Sequence, residues 1–474
     1  MEFTGGSMIK RLAAVLAIFF SGGPWAFAGM DFDRGFDVKG ALAGADAPEA
    51  AAPAGTKGWF SHHDEDKPQP VKEWTVMVYM NGKNDLEVAG LYNLNKMELV
   101  GSGDSLNIIT ETGRMNGQQN DVHFDGDWTG SRRYYVTKDT NEEKIKSKAV
   151  QTFDKVDMGD WRHLADFAKW GMKNYPARHY ALIIWNHGSG WVTTKAVSKG
   201  ISYDFETKNH ISTPELGMAM KEIGKVDILG YDACLMQMAE LVYEVKDNAD
   251  YIVGSEETIP GLGYPYDAFL PAFASGSRSA GELAAGMVSA YDSFYGSKGK
   301  KVTLSAVKVS ALPAFMSAFG AWTDALLASG KKPQIKAKFY GAASYADKDN
   351  KDLSDFARLA SEADPALADS GRAMTDALGA MVVSNTAYKE GYGRDEASHG
   401  LAIYLPEQGY NEKYDQLAWA RDTKWDDLLK EMKGVSAPGL EFMSGCVKPP
   451  EGASLQQLMA YVDCLTNALN AAKP

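Results

Sequence analysis

VDILGYDACLMQMAELVYEV, residues 226–245, is the stretch that decides the fold. Its first six residues are a short, mostly aliphatic run that reads as a buried strand, and residues 235–248 read as an amphipathic helix. A strand passing straight into a helix is the repeating unit of an α/β fold with a parallel sheet. Cys234 stands at the junction. A thiol before a helix N-terminus gains from the field there, which favours the thiolate.

A second stretch of the same kind lies upstream. In HYALIIWNHGSGW, residues 179–191, a strand-like run stops at Asn186-His187-Gly188-Ser189-Gly190. Two parallel strands ending side by side bring His187 and Cys234 into one crevice, where open α/β sheets bind ligands. The pair reads as a cysteine nucleophile with its general base. Taken singly, each has a plainer reading, packing for the cysteine and loop polarity for the histidine.

Working outward, WTVMVYM is a strand, NGKND a turn and residues 86–100 a helix; SLNIITET is the next strand and RRYYVTK a hairpin arm. DWRHLADFAKWGMKNYP is a helix, YIVGS and KVTLSAVKV are strands, and HGLAIYLP reads as one more strand of the sheet. Residues 312–327, 353–362 and 372–382, and AWARDTKWDDLLKEM, are helices. The expected architecture is therefore α/β, a mostly parallel sheet with helices on both faces, plus a helical C-terminal region.

Several motifs place this order on a known pattern. NHGSGW, YDACLM, the upstream WTVMVYMNGKNDLE, VGSEETIPGLGYPYD after the cysteine, DLSDFA at 352–357 and GLAIYLP at 400–406 together resemble the clostripain family of cysteine peptidases. The resemblance runs from Trp74 to Pro406 in consistent order. It implies a caspase-like fold, with a catalytic domain at 73–300 and a subdomain at 301–435 continuing its core. It implies a Cys-His dyad of Cys234 and His187, and an oxyanion held by the backbone N–H groups of Gly188 and Cys234. It requires no third catalytic member.

Specificity also follows from the resemblance. Clostripain-like enzymes cleave after arginine or lysine, and Asp232 matches the family's acidic position at the pocket floor. Asp232 equally reads as the N-cap of the following helix. The loop after the next strand offers Glu256 and Glu257 as further acids for substrate binding, with no Asp beside Gly261-Leu262-Gly263, so Arg and Lys are not told apart. Relatives are activated by a cut between the His and Cys segments, which makes Lys195 and Lys199 candidate autoprocessing points; an ordinary surface loop is the other reading. His399, before the GLAIYLP strand, reads as a strand-entry polar residue rather than a rival base.

Some relatives depend on calcium, but no site is identifiable. Set against an EF-hand loop, DKDNKDLSDFAR has Lys351 at the fifth position, Asp352 where glycine is needed and Arg358 at the twelfth. No zinc spacing occurs. No cofactor is expected, and no metal ligand set is assigned.

Composition bounds the rest. The chain has 474 residues, 45% of them hydrophobic, and a net charge of −13, which offers no basic stripe to a nucleic acid and suits cationic peptide or protein substrates. Lys10 and Arg11, the apolar run 12–20 and AFAG read as a secretory signal ending at Ala28, too short to span a membrane. Residues 1–7 read as a tag or an upstream start, and 29–72 as a flexible linker or pro-segment. Export to the periplasm or the medium is expected. Three cysteines in an exported chain suggest a disulfide between Cys446 and Cys464 in a helical tail, 436–474, and a reduced Cys234. Two other functions stay open: a transpeptidase or ligase on the same fold, and a non-catalytic periplasmic binding or scaffold protein. The oligomeric state is not fixed by the sequence.

Overall fold

Thirteen strands occur among the described residues of the computed structural model, which are 70–118, 121–123, 125–191, 200–391, 393–407 and 409–435. They are β1 (Lys72–Asn81), β2 (Leu106–Arg114), β3 (Gly130–Tyr135), β4 (Ala149–Phe153), β5 (Ala177–Trp185), β6 (Ile201–Asp204), β7 (Asn209–Ile211), β8 (Val226–Asp232), β9 (Ala249–Gly254), β10 (Val302–Lys308), β11 (Asn350–Asp352), β12 (Val382–Tyr388) and β13 (Ala402–Tyr404). Nine of them form one sheet in the order β12-β10-β9-β8-β5-β1-β2-β3-β4. The middle of it, β9 to β2, is parallel. Antiparallel pairs flank it, β10 with β12 and β3 with β4.

The central strands are apolar on both faces because both are covered. Met77 and Met80 of β1, an odd number of residues apart, point to opposite faces. On the Met80 face lies the helix Glu87–Glu98, whose Gly90 comes so close that a Cβ would sit 3.2 Å from Met80 Sδ. On the Met77 face lies Trp161–Asn174, where a Cβ on Gly171 would sit 2.9 Å from Met77 Sδ. The predicted helices on both faces are therefore present. The helix Thr213–Ile223 starts at a capping box of Ser212 and Glu215 with Pro214 in its first turn, which fixes the approach to β8.

The C-terminal helices gather around an aromatic core. Phe319 and Trp322 of Leu312–Ala328 meet Trp419, Trp425 and Phe356, with Phe319 and Trp419 ring centres 4.8 Å apart. Val309–Ala328 has the length and composition of a membrane span, at mean hydropathy 1.2, but its Phe315, Phe319, Trp322 and Leu326 are buried in this core.

Two expectations are corrected. GLAIYLP does not join the main sheet: β13 pairs antiparallel with β11 in a separate two-stranded sheet and touches the rest through a bridge from Ala402 to Met238. AWARDTKWDDLLKEM is two helices, Ala418–Asp422 and Trp425–Lys433, because the Thr423 hydroxyl takes the Trp425 N–H (3.2 Å) and starts a new helix. The signal segment 1–28, residues 29–69, the cut points Lys195 and Lys199, and the tail 436–474 with Cys446 and Cys464 lie outside the described residues.

Candidate active site

Parallel register puts the carboxyl ends of β1, β5 and β8 next to one another: Met80 pairs with Trp185, and Trp185 with Asp232. Asn186 stitches the ends together. Its N–H donates to Asp232 O (3.2 Å), its amide donates to Asn81 O, and its carbonyl takes the Tyr203 N–H (2.6 Å). His187 and Cys234 follow directly and line one small, half-open cavity, together with Asp232, Ala233, Ile259 and Gly261. The crevice inferred from the two strand ends exists.

Gly188 lies against the segment that carries Cys234. A Cβ there would come 2.5 Å from Cys234 O and 3.0 Å from both Ala233 Cβ and Met236 Cγ, so no other residue fits without displacing backbone. Its N–H reaches toward the thiol.

The thiol itself is not exposed. Cys234 is 5% accessible, and Sγ accepts the Ile259 N–H at 3.3 Å. Burial pushes its pKa up to about 12; the Glu257 and Asp232 charges add to this, against the N–H groups of Ile259 and Gly188. The helix-field expectation is thereby overturned. No helix starts at Cys234: the chain turns through Leu235 at φ 62° and the helix begins only at Ala239, ending at Glu244. The reason is competition for backbone groups. The N–H groups of Leu235 and Gln237 donate to Glu257 O (3.1 Å) and Ser255 O (3.0 Å), so residues 235–238 run along the loop after β9 instead of coiling.

Asp232 is therefore not a helix cap. It is fully buried at the cavity, where Oδ2 accepts the Tyr264 N–H and the Tyr266 hydroxyl, each at 3.0 Å. Oδ1 has no hydrogen-bond partner among the described residues. Burial raises its pKa from 3.8 to about 7 against those two donors. Glu256 and Glu257 do not reach the cavity. Glu257 is tied to Lys301 (2.6 Å) and to the Ala346 N–H. Glu256 accepts the Gly400 N–H, and burial together with the neighbouring Asp352 charge pushes its pKa well up. Both acids hold the loop after β9 to later parts of the chain, at Lys301, Ala346 and Gly400. His399 belongs to the same contact: its Nδ1 meets Asp352 Oδ1 at 2.9 Å, and that bond raises its pKa.

Asp85 was not singled out from the sequence. It sits in the turn after β1, and Oδ1 lies 2.7 Å from His187 Nε2. An acid just past the end of the strand neighbouring the histidine strand was the available signal. Phe205, on the β6–β7 hairpin, stacks on the imidazole with ring centres 6.1 Å apart and planes 8° from parallel.

Asp121, His123 and Asp127 bring possible metal-ligand atoms within 4.8 Å of one another. Two carboxylates and an imidazole do not fit calcium, which takes six to eight oxygens. Asp121 Oδ2 is, moreover, already occupied by the Gly117 N–H.

A family model described as the clostripain family matches residues 78–432. Clostripain of Hathewaya histolytica is 28% identical over 243 residues, which span 47% of this chain and 45% of that protein, less than half its length. Among solved structures, a secreted C11 cysteine protease from Bacteroides thetaiotaomicron, in complex with an irreversible peptide inhibitor, is similar at TM-score 0.55 and 20% identity, covering 76% of this chain and 99% of that one. An inactive zymogen C11 protease from Parabacteroides distasonis is similar at TM-score 0.58 and 20% identity, covering 75% and 99%.

Proposed function

Because the chain belongs to the clostripain family of cysteine peptidases, enzymes that hydrolyse peptide bonds, we propose that it is an exported endopeptidase in which Cys234 is the nucleophile and His187 the acid–base partner. The observation that carries this reading is one cavity lined by His187, Cys234 and Asp232, whose buried Oδ1 has no partner among the described residues.

The substrate class follows from that oxygen. A lysine or arginine side chain before the scissile bond reaches Asp232 Oδ1 and supplies the missing donor, a charge-assisted bond in a desolvated site. Binding a cation also restores the ionised carboxylate that burial disfavours. The clostripain relative and the peptide-inhibited C11 protease support a peptide substrate.

In the reaction, Cys234 passes its proton to His187 and Sγ attacks the carbonyl carbon. Negative charge on the carbonyl oxygen is met by the N–H groups of Gly188 and Cys234. His187 returns the proton to the leaving amine, and the thioester is hydrolysed by water that gives a proton to His187. In the free enzyme burial holds the thiol neutral, against the Ile259 N–H that Sγ accepts. Self-cleavage at Lys195 or Lys199 is part of the proposal and is supported by the zymogen form of a C11 relative.

The test is cleavage of reporters with Arg, Lys, Asp, Asn or Leu before the scissile bond by wild type, Cys234→Ala and His187→Ala. Basic reporters are cut by wild type alone. Turnover that survives in either variant overturns the dyad.

A further inference from the structure

The geometry points to Asp85 as a third member of the catalytic apparatus, a positioning residue that fixes the tautomer and orientation of His187. The inference rests on His187 being the acid–base group.

Asp85 Oδ1 is 2.7 Å from His187 Nε2. Burial pushes this carboxyl up, but the hydrogen bond and charge of His187 outweigh it and hold its pKa below the usual value, so it is an acceptor only. The ring nitrogen facing an ionised carboxylate has to carry a hydrogen. In the neutral imidazole that leaves Nδ1 as the unprotonated nitrogen, the one available to take the thiol proton. Once His187 is protonated, the same carboxylate stabilises the imidazolium, which matters where burial makes the thiolate costly to form.

The rest of the surroundings fits a held ring. His187 is nearly buried; Phe205 covers one face and Tyr203 meets it edge-on at 6.4 Å. Rotation of the ring would break the Asp85 bond and both ring contacts. The position of Asp85 follows from topology, because β1 and β5 are parallel neighbours and their ends emerge side by side.

A merely structural role is separable. The turn carrying Asp85 is anchored by other groups: Asn84 Nδ2 donates to Tyr203 O (2.7 Å), Asn84 Oδ1 accepts the Leu86 N–H (2.9 Å), and Asn81 Oδ1 accepts the Lys83 N–H (3.1 Å). Loss of the Asp85 carboxylate therefore leaves the fold in place. Asp85 does not line the substrate cavity, so its loss acts on the chemical step rather than on binding.

The experiment measures kcat, KM and Tm for wild type, Asp85→Asn and Asp85→Ala on the best basic reporter. Asn keeps an acceptor for Nε2 at nearly the same volume but removes the charge and lets the wrong tautomer form. The expected result is a kcat about tenfold lower for Asn and about a hundredfold lower for Ala, with KM not raised and the Tm of Asn near wild type. Wild-type kcat in the folded Asn and Ala variants overturns the inference, as does a loss seen in KM alone. If Ala does not fold, Asn decides. An active wild type with active Asp85 variants removes only this assignment. A wild type that cuts no reporter, with Cys234 intact, removes the dyad reading and this one with it.

Discussion

Replacing Asp232 by Asn removes one charge at almost constant volume, and the structure sets opposite signs for activity and stability. In the variant the amide carbonyl keeps the Tyr264 N–H and the Tyr266 hydroxyl, which turns the NH2 group into the cavity where the unpartnered Oδ1 stood. A cationic side chain then meets a donor. Breaking a buried charge pair by removing one partner costs about 3–5 kcal/mol, or roughly two to three and a half orders of magnitude in kcat/KM for Arg and Lys reporters. Stability moves the other way. The folded-state pKa is raised from 3.8 to about 7, so the folded protein holds this proton more tightly than the unfolded chain does. The contribution is full below the unfolded value and is lost as pH rises through about 7, a cost on the order of 4 kcal/mol above that range. Asn carries no such cost. Asp232→Asn is therefore expected to melt above wild type at pH 8, with the gap closing toward pH 4, while losing its basic reporters. Thermal denaturation at several pH values and reporter kinetics read both. An Asn variant that cuts basic reporters at the wild-type rate, or that is destabilised equally at every pH, refutes the pocket assignment.

In wild type, KM for a lysine reporter rises as pH falls below about 7, because the carboxyl is then neutral before substrate arrives; a Leu reporter shows no such rise. Gly188→Ala places a Cβ 2.5 Å from Cys234 O and displaces the Gly188 N–H, so kcat falls about a hundredfold or more, with a stability loss of about 1–3 kcal/mol by denaturant titration. An alanine variant with wild-type kcat removes Gly188 from the oxyanion site. Iodoacetamide modifies Cys234 slowly at pH 8 in the free enzyme, since burial keeps the thiol protonated and covered and outweighs the Ile259 N–H. Fast alkylation, read by intact mass, contradicts the closed site.

Much of this was legible in one dimension because its causes are local. Apolar runs that stop at NHGSGW and YDAC announce strand ends, and strands that end together in a parallel sheet share a crevice, so His187 and Cys234 met as expected. The helix after Cys234 was misread because its apolar spacing is helical, while its backbone N–H groups find partners on a loop some twenty residues away. GLAIYLP has strand composition, but composition does not say which sheet it joins.

The sequence by itself determined the α/β class and the family, and brought Cys234 and His187 to one crevice, because these rest on periodicity and on motifs read in order. Only the tertiary structure decided where the acids stand and what they touch. Asp232 lost its capping role and gained an unpartnered oxygen, Glu256 and Glu257 turned inward to brace a loop, and Asp85 came within hydrogen-bond reach of His187. A carboxylate's role depends on which distant groups fold around it, and on how much water they exclude.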